Sequence, residues 1–483
     1  MDRAWTFLGQ RVTALITSFT AAVVSVVLLG TPALGQAPIG FRTDGTGRYP
    51  DATPPLSWGL EKNVVWKIKL TQSNAIPVIL GDKLFTCTDP CVLLCINKAD
   101  GKVIWQHESF FKEIEPTEKE KAQIEVESKE DAMLSAQQSA LEKEMNALRK
   151  MLKDNDTPKE EADAKIKPLQ TRIDELRAKR KEFVTLNRYK EPGKNAGGFH
   201  PTGGYSSATP VTDGKNIYVI YGNGLAAAYD LAGKRLWLKL IEHPTAAYGH
   251  GASPVLIKDK LLVHFSDLVA LNATDGNEVW RTKISPSHGT PMHTRIGDVD
   301  VVVHPSGQVV RVADGVILAK NLGSSGPNSP IIQEGKAFFM AGQARGFTLP
   351  TSLESPPKFE PLWKGKGANL KGGGYWFPSP VLHDNLIYAL NATANFTVVD
   401  AKTGQRVYEE KLEFGGGQCY PSVTLAGKYL FASSDNGHTL ILQPGREYKE
   451  IAHNTLEPFR SSLVFEGRRM YVRSTKNLWC IGE

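Results

Sequence analysis

A set of histidine and aromatic residues is the best candidate for a binding site in this sequence of 483 residues. Its members stand near the starts of short apolar strands, and they are Tyr248, His250, His288, His293, Tyr375, Trp376 and Tyr420. Imidazole nitrogens bind metals, and aromatic rings stack on planar groups. If the strands converge, these side chains line a funnel that holds a planar ligand or a metal. The alternative is that they only fill the junctions between neighbouring structural units.

Motifs that would identify an enzyme are missing from the sequence. It has no G-x-S-x-G elbow, no P-loop and no dinucleotide fingerprint. No pair of histidines has the spacing of a local metal motif, so we assign no metal ligand. The net charge is only +6, from 57 basic and 51 acidic residues, which gives no case for nucleic-acid binding. Enzymatic activity is therefore left open, and a non-catalytic role is favoured.

The cysteines permit two interpretations. Cys87, Cys91 and Cys95 are evenly spaced, and in an exported protein this spacing fits a metal clip or a disulfide, most plausibly one involving Cys87 and Cys91. However, residues 88–91 have the composition of a hairpin turn. Cys95 and Cys480 occupy third-strand positions at which other copies of the repeat have alanine. The other interpretation is therefore that these thiols are small buried side chains.

The first 35 residues have the composition of a secretory signal. Arg3 and Arg11 precede an apolar stretch at about 14–29, and the small-residue sequence Ala33-Leu34-Gly35 follows. We expect cleavage before Gln36, which would give an exported protein, periplasmic or extracellular, without a membrane span. The alternative is an uncleaved membrane anchor, because the apolar stretch is almost long enough to span a bilayer.

An internal repeat positions the candidate residues. Residues 251–280 contain four short strand-like runs separated by Gly, Asp or Asn, which are the residues of tight turns. The same order recurs, and prolines that lead successive copies lie at positions 210, 254, 291, 330, 380 and 421. An early copy near Pro77 and a last copy from Ser461-Ser462 bring the expected number to eight. The copy at 288–322 is the weakest match because its fourth strand lacks an aromatic residue.

The first and last repeat segments complement each other. Residues 63–69 resemble the fourth strand at 277–283, but the first three strands of that copy do not precede them. The last copy supplies only three strands, between residues 462 and 481. A fourth strand donated from the N-terminal side would complete it and would remove two open sheet edges. We therefore predict an all-β fold, an eight-bladed β-propeller closed by an N-terminal strand.

The composition changes abruptly between residues 113 and 190. These residues include 35 charged side chains, 18 acidic and 17 basic, and no Gly, Cys or Trp. Apolar residues recur at heptad spacing on both sides of a turn at 154–158. We predict an inserted α-helical (coiled-coil) hairpin, with Pro168 kinking its second helix. It is interpreted either as a protein-docking arm or as an idle insertion.

The predicted regions are a signal peptide (1–35), an N-terminal segment (36–62), the closing strand with the first blade (63–112), the hairpin (113–190) and the remaining blades (191–483).

The fourth-strand motif of the copies resembles the pyrroloquinoline quinone (PQQ) repeat family. It combines an Asp or Asn, a turn glycine and a tryptophan, as in Asp230, Gly233 and Trp237. The resemblance covers almost all of the chain outside 1–60 and the helical insertion. It implies either a quinoprotein dehydrogenase, with PQQ and calcium on the propeller axis beside two adjacent cysteines, or a BamB-like binding platform. The chain has no adjacent cysteines, and it lacks a lipid-anchor cysteine after the signal.

These observations favour an exported, non-catalytic binding or scaffold protein of the cell envelope. Its expected partner is an envelope protein or a small-molecule ligand. The alternative is a PQQ-dependent oxidoreductase whose divergent cofactor site, with calcium, is lined by the histidine and tyrosine residues of the funnel. A repeat of this kind specifies architecture more strongly than chemistry.

Overall fold

The computed structural model describes residues 37–154, 158–193, 198–244, 251–353, 357–365, 367–370 and 374–482. Several sequence-based predictions lie outside these residues: the signal at 1–35, part of the turn between the helices, Tyr248 and His250.

Within the described residues, the strands form eight sheets. Two strands precede the first of them, β1 (Arg48–Tyr49) and β2 (Val64–Lys69). Sheet 1 contains β3 (Val78–Leu80), β4 (Lys83–Thr88), β5 (Val92–Asn97) and β6 (Val103–Glu108). Sheet 2 contains β7 (Val211–Thr212), β8 (Asn216–Ile220), β9 (Leu225–Asp230) and β10 (Arg235–Leu240). Sheet 3 contains β11 (Val255–Ile257), β12 (Lys260–His264), β13 (Leu268–Asn272) and β14 (Glu278–Thr282). Sheet 4 contains β15 (Met292–Ile296), β16 (Val299–Val303), β17 (Val309–Arg311) and β18 (Ile317–Ala319).

The other four sheets follow the same plan. Sheet 5 contains β19 (Ile331–Gln333), β20 (Lys336–Phe339), β21 (Arg345–Thr348) and β22 (Glu360–Pro361). Sheet 6 contains β23 (Val381–His383), β24 (Leu386–Leu390), β25 (Asn395–Asp400) and β26 (Arg406–Lys411). Sheet 7 contains β27 (Thr424–Ala426), β28 (Tyr429–Ser433), β29 (His438–Leu442) and β30 (Glu450–Thr455), and β1 is added to its edge. Sheet 8 contains β31 (Val464–Glu466), β32 (Arg469–Arg473), β33 (Asn477–Gly482) and, from the other end of the chain, β2.

Side chains along the second strand of a sheet point alternately to its two faces. They pack against the two neighbouring sheets, so that the sheets follow one another in sequence order. In sheet 1, Phe85 packs in an apolar cluster with residues of sheet 2, whereas its neighbour Leu84 packs in a cluster with residues of sheets 7 and 8, including Phe431 and Tyr471. Adjacent residues of a strand point to opposite faces, so one strand contributes to two interfaces. Further clusters of this kind join sheets 2 to 7 in order. Sheet 8 thus packs against sheet 1, and the antiparallel pairing of β2 with β33 lies at that seam.

The tryptophan and glycine of the repeat motif meet between neighbouring sheets. Trp237, on the fourth strand of sheet 2, donates its indole N–H to the carbonyl oxygen of Ala273 in sheet 3 at 2.9 Å. Gly276 lies beneath that ring with a φ of +73°, and a Cβ there would stand 2.7 Å from the ring. The same indole-to-carbonyl bond is made by Trp66, Trp105, Trp280 and Trp363. In sheet 4 the fourth strand is the three-residue β18, without an aromatic side chain, as the weak copy predicted.

The insertion is helical, as its heptad pattern predicted. It consists of a 3-10 turn (Phe111–Glu113), α1 (Glu118–Lys153), α2 (Lys159–Lys181) and a short third helix, α3 (Val184–Arg188), that the sequence did not indicate. Thr117 caps α1 together with Glu120. α2 continues through Pro168. No helix in the described part of the chain is long and apolar enough to cross a membrane.

Ion pairs and an apolar cluster fix α1 and α2 side by side in opposite directions. Arg180, near the end of α2, pairs with Asp131 in the first half of α1, whereas Arg177 pairs with Glu142 further along α1. Leu134 packs in one cluster with Leu176, Phe183 and Leu186. Because the last of these belongs to α3, the short helix completes the core of the hairpin near its junction with the sheets.

Candidate functional site

The segments that lead into the first strands of all eight sheets meet at one cavity of about 980 Å³. Sheet 1 contributes Asn74 and Ile76, sheet 2 contributes five residues between 200 and 209, and sheet 8 contributes residues 460–462. The other five sheets contribute the corresponding segments. The repeat therefore creates the site, because each copy delivers the same short segment to the same place.

A belt of hydroxyl groups surrounds this cavity. It consists of Thr209, Ser253, Thr290, Ser329, Ser379, Ser422 and Ser462, one residue from each of sheets 2 to 8. From Thr209 to Ser422, each residue donates its backbone N–H to the hydroxyl of the next, at 2.9–3.2 Å. The bonds join neighbouring sheets and use the hydroxyl oxygens as acceptors. Each hydroxyl keeps its own proton, which it can donate to a ligand.

Sheet 1 has the one belt position without a hydroxyl. Ile76 donates its N–H to Thr209 Oγ1 at 3.2 Å, but it has no hydroxyl to accept a bond from Ser462. Ile76 also lines the cavity, as does Phe41, and both belong to the apolar core around sheets 7, 8 and 1. The cavity wall therefore has one apolar sector in an otherwise hydroxyl-rich belt.

The N-terminal segment contacts several sheets on the side of the belt at which their first strands begin. Ile39 pairs with Thr212 in sheet 2. Arg42 donates to the carbonyl oxygens of Pro380 in sheet 6 at 2.9 Å and of Val423 in sheet 7 at 2.6 Å. Each of these partners lies one to three residues beyond the belt residue of its own sheet. The aromatic side chains of the site precede the belt residues in the chain, so these contacts place residues 39–42 on the other side of the belt. Burial lowers the pKa of Arg42 to about 10.

Four planar groups that line the cavity form a continuous stack. Tyr375 stacks on Phe377 with a centroid distance of 5.3 Å, and Phe377 stacks on Tyr420 at 4.5 Å with an interplanar angle of 14°. The Cζ atom of Arg460 lies 3.8 Å from the centroid of Tyr420, which is a cation–π contact. Tyr375 is 68% exposed, so the outer end of the stack is open to solvent.

Arg460 is held in place by two neighbours. Its Nε and Nη2 donate to Oδ2 of Asp435 at 3.2 and 3.0 Å, and its Nη1 lies 3.3 Å from Nε2 of His200. Burial, the Arg460 charge and then His288 lower the pKa of His200 to about 4. Burial also lowers the pKa of His288. Both imidazoles are therefore neutral at pH 7, and Arg460 is the cation among the described lining residues.

The structure brings together three of the residues expected to line a funnel, His288, Tyr375 and Tyr420. Trp376 does not line it, although it follows Tyr375 directly, because it packs in the core between sheets 5 and 6. His293 does not line it either. It lies beyond the belt, on β15, where its Nε2 is 2.9 Å from Oδ1 of Asp300.

Sequence reasoning missed the other large side chains of the site, His200, Phe377 and Arg460. Their positions relative to the belt residues were the available signal: Phe377 and Arg460 both stand two residues before the belt residue of their sheet. The belt had a signal as well, since a Ser or Thr immediately precedes each leading proline from Pro210 to Pro380.

The five cysteines are buried and unpaired in the structure. Burial raises the pKa of the Cys87 and Cys419 thiols to about 12, which suppresses the reactive thiolate. Residues 89–91 form the turn between β4 and β5, within the segment 88–91 whose composition indicated a turn. The structure therefore corresponds to the interpretation of the thiols as small buried side chains.

The described lining residues do not fit calcium-bound PQQ. Calcium takes six to eight oxygen ligands, usually with carboxylates among them. The described lining offers hydroxyls, amides and imidazoles but no Asp or Glu, and its cation is Arg460. No group of three or more His, Cys, Asp or Glu side chains suitable for a metal occurs among the described residues.

Comparisons with known proteins agree with the repeat and the sheets. Residues 192–345 match a family described as outer membrane protein assembly factor BamB. No curated protein matches the chain. The structure of BamB from Moraxella catarrhalis is similar over 87% of this chain and 99% of that chain, with 11% identity and a TM-score of 0.52. The computationally designed Ika8 protein is similar over 87% of this chain and 100% of its own, with 7% identity and a TM-score of 0.50. At such low sequence identities, the similarity shows only that the folds are alike. The repeat motif, the four-stranded sheets and the match over residues 192–345 together support the resemblance of this chain to the β-propellers of the PQQ-repeat family.

Proposed function

We propose that this chain is an exported, non-catalytic binding protein of the cell envelope, with its ligand in the cavity at which the eight sheets converge. The observation that carries the proposal is the combination of the hydroxyl belt with the stack of Tyr375, Phe377, Tyr420 and Arg460. The described lining contains groups that bind and orient a ligand. The lining places Thr202 Oγ1 2.9 Å from Nδ1 of His200, but Nε2 of that imidazole faces the cation Arg460 at 3.3 Å, which disfavours the protonated imidazole that general-base catalysis would form.

We also propose that the eight sheets are the blades of a closed eight-bladed propeller. Three observations support this arrangement: β2 pairs with β33, sheet 8 packs against sheet 1, and all eight sheets contribute to one cavity. In such a ring, sheets 2 and 6 face each other. The contacts of Ile39 with sheet 2 and of Arg42 with sheet 6 would then make the N-terminal segment a plug across one end of the channel.

The chemistry of the lining defines the class of ligand. A planar group would continue the aromatic stack at the exposed face of Tyr375, and Arg460, whose charge is partly offset by its pairing with Asp435, would attract an anionic group. Polar atoms deeper in the cavity would accept hydrogen bonds from the belt hydroxyls. We therefore expect a planar anion, either a free small molecule or such a group carried by an envelope protein.

PQQ is a suitable probe because it is planar and carries several carboxylates. The full-length chain is titrated with PQQ by calorimetry, with calcium or with a chelator, and dye-linked oxidation of alcohols and sugars is assayed in parallel. We expect binding that does not require calcium, is weakened at least tenfold by Arg460→Gln or Tyr420→Ala, and is accompanied by no dye reduction.

The control is Arg468→Gln, which removes a cation from sheet 8 but lies outside the cavity lining. It should leave PQQ binding unchanged. Calcium-dependent binding with substrate-dependent dye reduction would establish an oxidoreductase and overturn the proposal. If PQQ does not bind at all, the cavity does not recognise planar anions of this kind.

A further inference from the structure

The long helix α1 has a second apolar face that nothing in the described chain covers. Val126 is 62% exposed, Met133 is 61% exposed and Met151 is 43% exposed. Exposed alanines, Ala122 and Ala140 among them, lie on the same side of the helix at heptad spacing. The face that packs on α2 is a different one and is centred on Leu134 and Met145.

At about 100° per residue, the two faces are separated by roughly 115° around the helix. α1 can therefore pack on α2 and on a second helix at the same time. The outer face extends from Ala122 to Met151, which is roughly 44 Å of helix at 1.5 Å per residue. Exposed apolar side chains that align along one face of a helix form an elongated apolar patch, and such a patch is typical of an interaction surface.

Charge along α1 indicates what kind of helix fits that face. Residues 118–131 contain six acidic and three basic side chains, whereas residues 142–153 contain two acidic and four basic ones. A second copy of α1 in the opposite direction would place the acidic half of each helix beside the basic half of the other. A parallel copy would place like charges together.

We propose that the outer face of α1 binds the same face of a second copy of this chain, in an antiparallel arrangement with two-fold symmetry. The pairing that centres the face on the symmetry axis places Lys129 opposite Glu144. In the same register Met133 lies opposite Ala140. Large side chains therefore meet small ones while opposite charges meet, and because the interface is isologous each contact occurs twice.

The resulting dimer contains a four-helix bundle made from two hairpins. Each α1 begins near its own sheets and ends at its hairpin turn, so the antiparallel arrangement places the two sets of sheets at opposite ends of the bundle. The cavity is not part of the interface. The inference therefore goes beyond the proposed ligand site and does not depend on it.

The oligomeric state of the full-length chain at micromolar concentration tests the proposal. Light scattering after size exclusion should give twice the mass of one chain. Met133→Lys should give the single-chain mass with an unchanged circular dichroism spectrum. The control, Asn146→Lys, adds the same charge at an exposed position of α1 outside both faces and should remain dimeric.

Charge reversal tests the register. Glu144→Lys and Lys129→Glu should each weaken the dimer at least tenfold, and the double variant should restore it because both symmetry-related pairs are re-formed with reversed sign. A single-chain mass for the wild type, or a dimer indifferent to Met133→Lys, would overturn the proposal. If the double variant dissociates more than either single variant, the antiparallel register is wrong.

Discussion

The indole N–H of Trp66 donates to the carbonyl oxygen of Lys98 at 3.1 Å and so joins sheet 8 to sheet 1. Trp105 makes the equivalent bond from sheet 1 to Leu231 in sheet 2. Trp66 belongs to β2, which pairs with β33 from the far end of the chain. The contact between the sheets from the two ends of the chain is therefore of the same kind as the contact between sheets 1 and 2 within the repeat.

This contact predicts that the N-terminal strand contributes strongly to stability. Trp66→Ala should lower the free energy of unfolding by about 3–5 kcal/mol, since it removes a large buried side chain, and Trp66→Phe by about 1 kcal/mol, since it removes mainly the hydrogen bond. Urea unfolding measures both. The control is Val65→Thr, on the exposed side of the same strand, with an expected change below about 0.5 kcal/mol. A Trp66→Ala variant as stable as the wild type would show that this seam does not hold the fold together.

Substitution of two glycines of sheet 1 distinguishes the energetic cost of backbone strain from that of steric crowding. Gly101 and Gly81 both have positive φ angles, +75° and +58°, but a Cβ on Gly101 would stand 2.7 Å from Trp66, whereas one on Gly81 would meet nothing within 4 Å. Gly81→Ala should therefore cost about 1 kcal/mol of stability through its backbone alone. Gly101→Ala should cost a further 1–3 kcal/mol or so. Equal urea midpoints for the two variants would exclude crowding against Trp66.

The hydroxyl belt should contribute to stability through its buried acceptors. Thr290 Oγ1 accepts the N–H of Ser253 at 2.9 Å, and Thr290→Val keeps the shape of the side chain but removes that acceptor. An unsatisfied buried N–H should lower the free energy of unfolding by about 1–3 kcal/mol. Thr294→Val, in the following strand and outside the belt, is the control and should be close to neutral. If both variants unfold at the same urea concentration as the wild type, the belt is not a stabilising feature.

A buried histidine pair predicts loss of stability in mild acid. Nε2 of His304 lies 3.1 Å from Nδ1 of His264 between sheets 3 and 4. Burial lowers the pKa of His264 to about 4 and, with His264 beside it, that of His304 to about 3. The unfolded chain binds these protons near pH 6.5, so it gains protons that the folded chain does not. Stability should therefore fall below about pH 6.5 and continue to fall towards pH 3–4.

The slope for each histidine is at most about 1.4 kcal/mol per pH unit. Urea unfolding at pH 7, 6 and 5 measures it, and His304→Gln should flatten the dependence because one titrating group is lost. Asp267 lies near His264 and Gln308 near His304, and both are retained in this variant. A variant with the same pH dependence as the wild type would contradict the assignment to this pair.

The local pattern of the sequence determined the elements of this protein. Short apolar runs between turn residues specified four-stranded sheets, and heptad spacing specified the helical hairpin, because these signals act between residues close in the chain. The same pattern placed Tyr375 and Tyr420 near the starts of first strands. It could not exclude Trp376 from the cavity, because neighbouring residues of an extended segment point to opposite sides and the repeat does not state which side is inward.

Only the tertiary structure decided which side chains meet. His200 and Arg460 are separated by 260 residues, and Arg42 contacts a carbonyl group 381 residues away, so no local spacing reports either contact. The hydroxyl belt is a similar case. Each Ser or Thr is simply a residue that precedes a strand in the sequence, and the belt exists only because the sheets bring these residues together. The sequence by itself therefore determined the repeated unit and its order. The site required the packing of all the units around one point, because its chemistry is the sum of single residues that each copy contributes.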